Sequence, residues 1–124
     1  SDYVVQNPNW GRVTVLGFDV PALNQTVSID PDGTVRYRGN SMFMSKTPGE
    51  ILKIMSRKEV GQNVSWDELF VEIEDWKDGK IPDPDRKQQK IYDAVGHINK
   101  QFRKKLNVTF DLLDWRNLSV SRLR

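Results

Sequence analysis

The chain has 124 residues, of which 37% are hydrophobic and 29% charged, with a formal net charge of +2. This length suits one globular domain with a modest core. No window approaches the roughly 18 uninterrupted apolar residues of a membrane-spanning helix, and the N-terminal residues lack the basic and apolar regions of a signal peptide. We therefore expect a cytoplasmic protein without a membrane partner.

The inventory of reactive side chains argues against an enzyme. The chain has no cysteine and only one histidine, which excludes disulfides, thiolate metal sites, cysteine catalysis and the usual histidine-based triads. No phosphate-cradling glycine loop occurs. We expect no catalytic residue, no metal and no cofactor. Because the chain begins with Ser rather than Met, we expect an excised domain whose partner domain is missing.

The first third of the chain predicts a small sheet. Residues 1–11 show no periodicity and are interpreted as a loose lead-in. Short alternating segments follow, separated by turn signals such as Asp30–Gly33, where Pro31 presets φ and Gly33 tolerates positive φ. An antiparallel sheet is therefore predicted over residues 12–45, with strands at residues 12–20, 27–29, 34–38 and 42–44.

The periodicity then changes and predicts a first helix. Ser45 or Thr47 can cap it, with Pro48 at its first position, and the helical pattern fades at Gly61. The buried face of this helix is predicted to consist of Ile51, Leu52, Ile54 and Met55.

A second helix is marked by its start signal. Ser65 followed by Glu68 three residues later forms a capping box. The inward stripe of this helix is predicted to contain Trp66, Leu69, Phe70 and Ile73. Residues 76–85, with Gly79, Pro82 and Pro84 among charged residues, are then predicted to be a loop.

The third helix, predicted over residues 84–106, is the most informative segment. Steps of three and four residues place one apolar stripe along it, formed by Ile91, Val95, Ile98, Phe102 and Leu106. The remaining faces are basic, and residues 86–124 together carry a net charge of +7. Such a cationic face is the pattern expected where a protein meets a polyanion. Gly96 in the middle of this helix costs about 1 kcal/mol relative to Ala, which we explain by close approach of another backbone or of DNA.

The period returns to two after residue 107. Val108, Phe110 and Leu112 alternate, and Leu118, Val120 and Arg122 alternate after a turn at Asp114–Asn117. The fold class predicted is therefore α+β, a winged helix-turn-helix with an N-terminal antiparallel sheet and a C-terminal β-hairpin wing. The predicted domain spans residues 12–124, divided into sheet, three-helix core and wing at residues 12–45, 46–106 and 107–124.

This order resembles the winged helix-turn-helix domain of OmpR/PhoB-type response regulators and the related domain of SARP/BTAD-type bacterial regulators. The likeness rests on four segments, of which the third is the most specific: Arg12-Val-Thr-Val-Leu-Gly-Phe-Asp-Val20, Ser45-Lys-Thr-Pro-Gly-Glu-Ile-Leu52, Gly61-Gln-Asn-Val-Ser-Trp-Asp-Glu-Leu69 and the helix Ile91–Leu106. The resemblance implies a transcription regulator that binds double-stranded DNA, with the third helix in the major groove. It also implies a homodimer on DNA, and RNA polymerase or a missing regulatory domain of the same chain as further partners.

On this hypothesis the exposed polar residues of the third helix form the DNA-binding site. Gln89 and Asn99 are expected to pair with adenine and Lys100 with guanine. Lys90 and His97 lie near the same outward line. Phosphate contacts are expected from Lys87, Arg103, Lys104 and, at the tip of the wing, Arg116.

A protein-interaction winged helix is the alternative. Its contact surface would be the acidic segment at residues 67–85, for example for RNA polymerase. The simpler interpretation of these acidic residues is a solvated helix face and loop.

Overall fold

A computed structural model describes residues 13–15, 18–20, 26–77 and 79–124. Within these residues the fold is α+β, with three helices and three short antiparallel sheets. The strands are β1 Val13–Val15, β2 Phe18–Val20, β3 Ser28–Ile29, β4 Val35–Tyr37, β5 Asn40–Met42, β6 Val64–Ser65, β7 Leu113–Arg116 and β8 Ser119–Arg122. The helices are α1 Lys46–Met55, α2 Trp66–Glu74 and α3 Pro84–Lys105.

The N-terminal strands differ from the predicted ones in two places. The single strand predicted over residues 12–20 is instead the hairpin β1–β2, in which Val13 lies opposite Val20. The last strand is Asn40–Met42 rather than residues 42–44, because Arg38 and Gly39 both adopt positive φ and complete the turn earlier. The predicted turn after Ile29 is confirmed, with the N–H of Gly33 donating to the carbonyl of Asp30 at 2.8 Å.

Helix α1 is shorter than predicted but has the predicted buried face. Its N-cap is Ser45, whose side chain makes no capping hydrogen bond, and it ends at Met55 rather than near Gly61. Gly49 packs against the preceding segment so closely that a Cβ would lie 2.1 Å from the carbonyl oxygen of Met44. The face toward the core consists of Ile51, Leu52, Ile54 and Met55, all buried.

The connection between α1 and α2 contains a strand that the sequence pattern did not reveal. β6 precedes α2 directly and pairs with β8, so that Val64 lies opposite Val120. The predicted capping box is confirmed at the same point. Ser65 accepts a hydrogen bond from the backbone N–H of Glu68, while the Glu68 side chain accepts one from the backbone N–H of Ser65.

Helix α3 crosses the centre of the molecule and carries the core on one side. Pro84 is its first residue, after Asp83 in the left-handed conformation. The predicted apolar stripe is confirmed, because each of its members is almost fully buried: Ile91, Val95, Ile98, Phe102 and Leu106. The core is one cluster that joins α3 to α1, α2, the β3–β4–β5 sheet and the β6–β8–β7 sheet.

The C-terminal hairpin is confirmed, but its first strand is displaced. The strand predicted from Val108 to Leu112 is wrong, and β7 begins at Leu113. The turn lies at Asn117 and Leu118, which both have positive φ. Residues 107–112 do not pair as a strand. Phe110 packs against Phe102 of α3, and the backbone N–H of Leu112 donates to the side chain of Asn99.

Candidate nucleic-acid interface

The face of α3 opposite the core carries basic side chains without internal partners. Lys90, His97, Lys100 and Lys104 are exposed. Within the part of the chain that the structure describes, none of these four side chains makes a hydrogen bond or an ion pair. We call these four residues the cationic face. Lysine side chains that no carboxylate neutralises are available to an anion from outside.

Gln89 and Asp93, two polar neighbours of the cationic face, are hydrogen-bonded to each other. Gln89 Nε2 donates to a carboxylate oxygen of Asp93 one helical turn later, at 2.9 Å. This hydrogen bond uses the donor with which Gln89 was expected to contact adenine. It also gives Asp93, an acidic neighbour of the cationic face, a partner within the helix.

Asn99 is buried and does not lie on the exposed side of α3, which is at odds with the expectation that it contacts adenine. Only 9% of the residue is exposed. Its Nδ2 donates to the carbonyl of Leu113 at 2.9 Å, and its Oδ1 accepts from the backbone N–H groups of Leu112 and Leu113 at 3.0 and 2.9 Å. Both ends of the amide are therefore used to hold the start of β7 against α3.

Two residues expected at phosphates are engaged with neighbouring elements. The Lys87 ammonium lies 5.7 Å from the centroid of the Phe70 ring, on the side of α3 that faces α2. Arg103 forms an ion pair with Asp111 in the segment before β7. Both side chains remain partly accessible, so that they flank the cationic face rather than form it.

Arg116 lies at the end of β7, beside the turn of the hairpin, as expected. Its side chain is 76% exposed, and its Nε lies 3.4 Å from a carboxylate oxygen of Asp114. An exposed pair of this kind contributes little stability. The guanidinium can therefore leave Asp114 for a phosphate at small cost.

An aromatic pair between α3 and the C-terminal hairpin was not identified from the sequence. The rings of Tyr92 and Trp115 meet edge to face with their centroids 5.5 Å apart. Tyr92 is 50% exposed, although it lies on the side of α3 toward the wing. The sequence signal for this contact is the seven-residue spacing between Tyr92 and Asn99. Such a spacing puts both residues on one side of a helix, and both contact β7.

The cationic face continues into a cleft of about 730 Å³ beside the N-terminal sheet. From α3 it is lined by His97, Gln101 and Lys105, and from the opposite side by the segment at residues 41–48. None of the described residues that line it is acidic. Lys105 of α3 and Lys46 on the opposite side are the lysines of this cleft.

Other kinds of site find little support in the described residues. None of their histidine, aspartate and glutamate side chains form a group of three or more that could hold a metal ion. Among the described helices, none is both long and apolar enough to cross a membrane. Comparisons with known proteins add no assignment: no family model, no curated protein and no solved structure matches this chain.

Proposed function

We propose that this chain is a winged helix-turn-helix domain of a transcription regulator and that it binds duplex DNA through α3. The observation that carries the proposal is the cationic face, which has no partner among the described residues and lies beside a hairpin fixed to the same helix. An α-helix fits the major groove of B-DNA, and lysine side chains on its outer side reach phosphates and guanine edges.

The topology supports this assignment. The strand before α2 pairs with the second strand of the hairpin after α3, giving the sheet order β6–β8–β7. In the proposed complex α2 supports α3 from behind, and the hairpin acts as the wing. Arg116 beside the turn then reaches the adjacent backbone or minor groove. Because Gln89 and Asn99 are occupied internally, phosphate contacts contribute more than reading of adenine.

Salt dependence is the direct test. A protein that neutralises phosphates releases counterions, so that its affinity for DNA falls steeply as salt rises. We expect the chain to bind a mixed-sequence duplex at low salt in a mobility-shift or anisotropy assay. Absence of binding to any duplex pool at low salt would refute the proposal.

A double variant locates the face. Lys100→Ala with Lys104→Ala should weaken binding and reduce the slope of log K against log salt by about 2, because each phosphate-contacting lysine contributes about 1. The matched control is Lys53→Ala with Lys58→Ala, which removes the same charge from α1 and the residues after it. Equal effects of the two double variants would show that binding does not occur at the cationic face.

An acidic groove keeps a second candidate function open. Asp67, Glu68 and Glu72 line a groove of about 320 Å³ along α2, together with Lys58, and a basic segment of a protein partner such as RNA polymerase would complement its carboxylates. All three carboxylates already have roles, however. Asp67 accepts from the backbone N–H of Glu68, which itself belongs to the capping box. Glu72 pairs with Arg57. A surface whose charges are already matched attracts a cationic partner less strongly than the unpaired lysines of α3 attract DNA.

A further inference from the structure

Gly96 is a helical glycine for which the described residues provide no packing reason. It lies exposed in the middle of α3, and a Cβ built on it meets no atom within 4 Å. Of the two explanations for it, close approach of another backbone is therefore wrong for the described part of the chain. Gly49 shows the contrast, because a Cβ there would lie 2.1 Å from the carbonyl oxygen of Met44.

An exposed helical glycine without a neighbour lowers the folding equilibrium constant roughly fivefold relative to alanine. Gly49 has a steric reason within the fold, whereas the described residues give none for Gly96. The bare stretch of backbone at Gly96 is therefore open to a ligand on the side that the described residues leave uncovered.

Tyr92 and Lys100 border this gap on either side, next to Asp93, whose carboxylate accepts a hydrogen bond from Gln89. Tyr92 precedes Gly96 by one helical turn and Lys100 follows it by one turn, so that all three lie on one ridge of α3. The Tyr92 ring is held against Trp115 of the wing, and its hydroxyl has no hydrogen-bond partner within the described residues. The Lys100 ammonium is likewise free of any described ion pair.

We propose that Gly96 forms a notch in which one sugar–phosphate unit of a DNA strand lies against the backbone of α3, between the Tyr92 ring and the Lys100 ammonium. This inference rests on the proposed DNA-binding function and specifies its geometry. The sugar packs on the exposed edge of the ring, the Tyr92 hydroxyl and Lys100 donate to the phosphate oxygens, and the strand runs over the outer surface of α3 beside the hairpin. A side chain at position 96 would hold the strand away from both donors.

The test is Gly96→Ala, because stability and binding should change in opposite directions. Alanine favours the helix, so the melting temperature should rise by about 4 °C. Affinity for a mixed-sequence duplex should fall at least about tenfold, since an added methyl group overpacks the contact. The slope of log K against log salt should fall by about 1, because the strand is held away from Lys100 and one phosphate contact is lost. The control Val71→Leu adds one methylene to the exposed face of α2 and should leave affinity for the duplex as it is.

Tyr92→Phe gives a second readout that leaves the ring pair with Trp115 in place. Loss of the hydroxyl donor should weaken duplex binding about fivefold without changing the melting temperature. Binding of Gly96→Ala at wild-type affinity or tighter would overturn the notch while leaving the DNA-binding proposal intact. If the wild-type chain itself does not bind duplex DNA, the proposed function fails, and the notch fails with it.

Discussion

Asn99 is expected to be among the most sensitive positions of the fold, although it is a polar residue on a helix. Replacement by alanine would leave the N–H groups of Leu112 and Leu113 and the carbonyl of Leu113 without partners. Leu112 and Leu113 are almost fully buried, and each unsatisfied buried group costs about 1–3 kcal/mol. Allowing for partial relaxation, we expect Asn99→Ala to lower the free energy of unfolding by about 3–5 kcal/mol. A domain of this size has about 5–15 kcal/mol in total.

Urea denaturation and amide hydrogen exchange measure this effect together. The urea midpoint should fall by about 2 M with little change in the m-value, and the amides of Leu112 and Leu113 should lose protection. Asn63→Ala is the matched control, because Asn63 is an exposed asparagine whose side chain makes no described hydrogen bond; its cost should stay within about 0.5 kcal/mol. A loss below about 1 kcal/mol for Asn99→Ala, with normal protection of both amides, would refute the idea that this amide fixes the wing.

Two further predictions concern the N-terminal half. Gly49→Ala forces a Cβ against the carbonyl of Met44 and should destabilise the domain by about 3 kcal/mol or more in thermal unfolding; an unchanged melting temperature would contradict the close packing. Hydrogen bonds from Thr34 hold the pKa of Asp32 below its ordinary value. The ionised Asp32 carboxylate thus stabilises the folded state above the unfolded-state pKa, and this stabilisation is lost as pH falls through the lower folded-state pKa. An NMR titration of the Asp32 carboxyl with a midpoint at or above the ordinary aspartate value would contradict this.

Side-chain periodicity predicted the helices of this fold well because burial enforces it. The stripe from Ile91 to Leu106 could not be displaced by one residue without exposing apolar groups, and the structure buries all of it. The capping box at Ser65 and Glu68 was equally readable, since its hydrogen bonds connect residues three apart in the chain. Local signals of this kind need no knowledge of the tertiary structure.

What the sequence concealed depends on contacts between distant residues. The amide side chain of Asn99 is of a type that can contact DNA bases, and only its hydrogen bonds to Leu112 and Leu113 reveal its structural role. The same contacts displaced the first strand of the hairpin, because alternation at residues 108–112 results from packing along α3 rather than from strand pairing. β6 is too short to have a pattern of its own, and it exists because β8 lies beside it.

The short strand β6 also determines how a ligand would meet this domain. Val64 directly precedes α2, and its partner Val120 belongs to the hairpin that follows α3. The segments on either side of α3 therefore share one sheet and keep a constant separation. When binding has to order flexible segments, the conformational entropy that they lose weakens the affinity. Here β6 and the hairpin are already ordered by folding, so that this entropy is not lost on binding. A duplex would thus encounter a preformed surface, and its association rate would depend on electrostatic steering rather than on rearrangement of the wing.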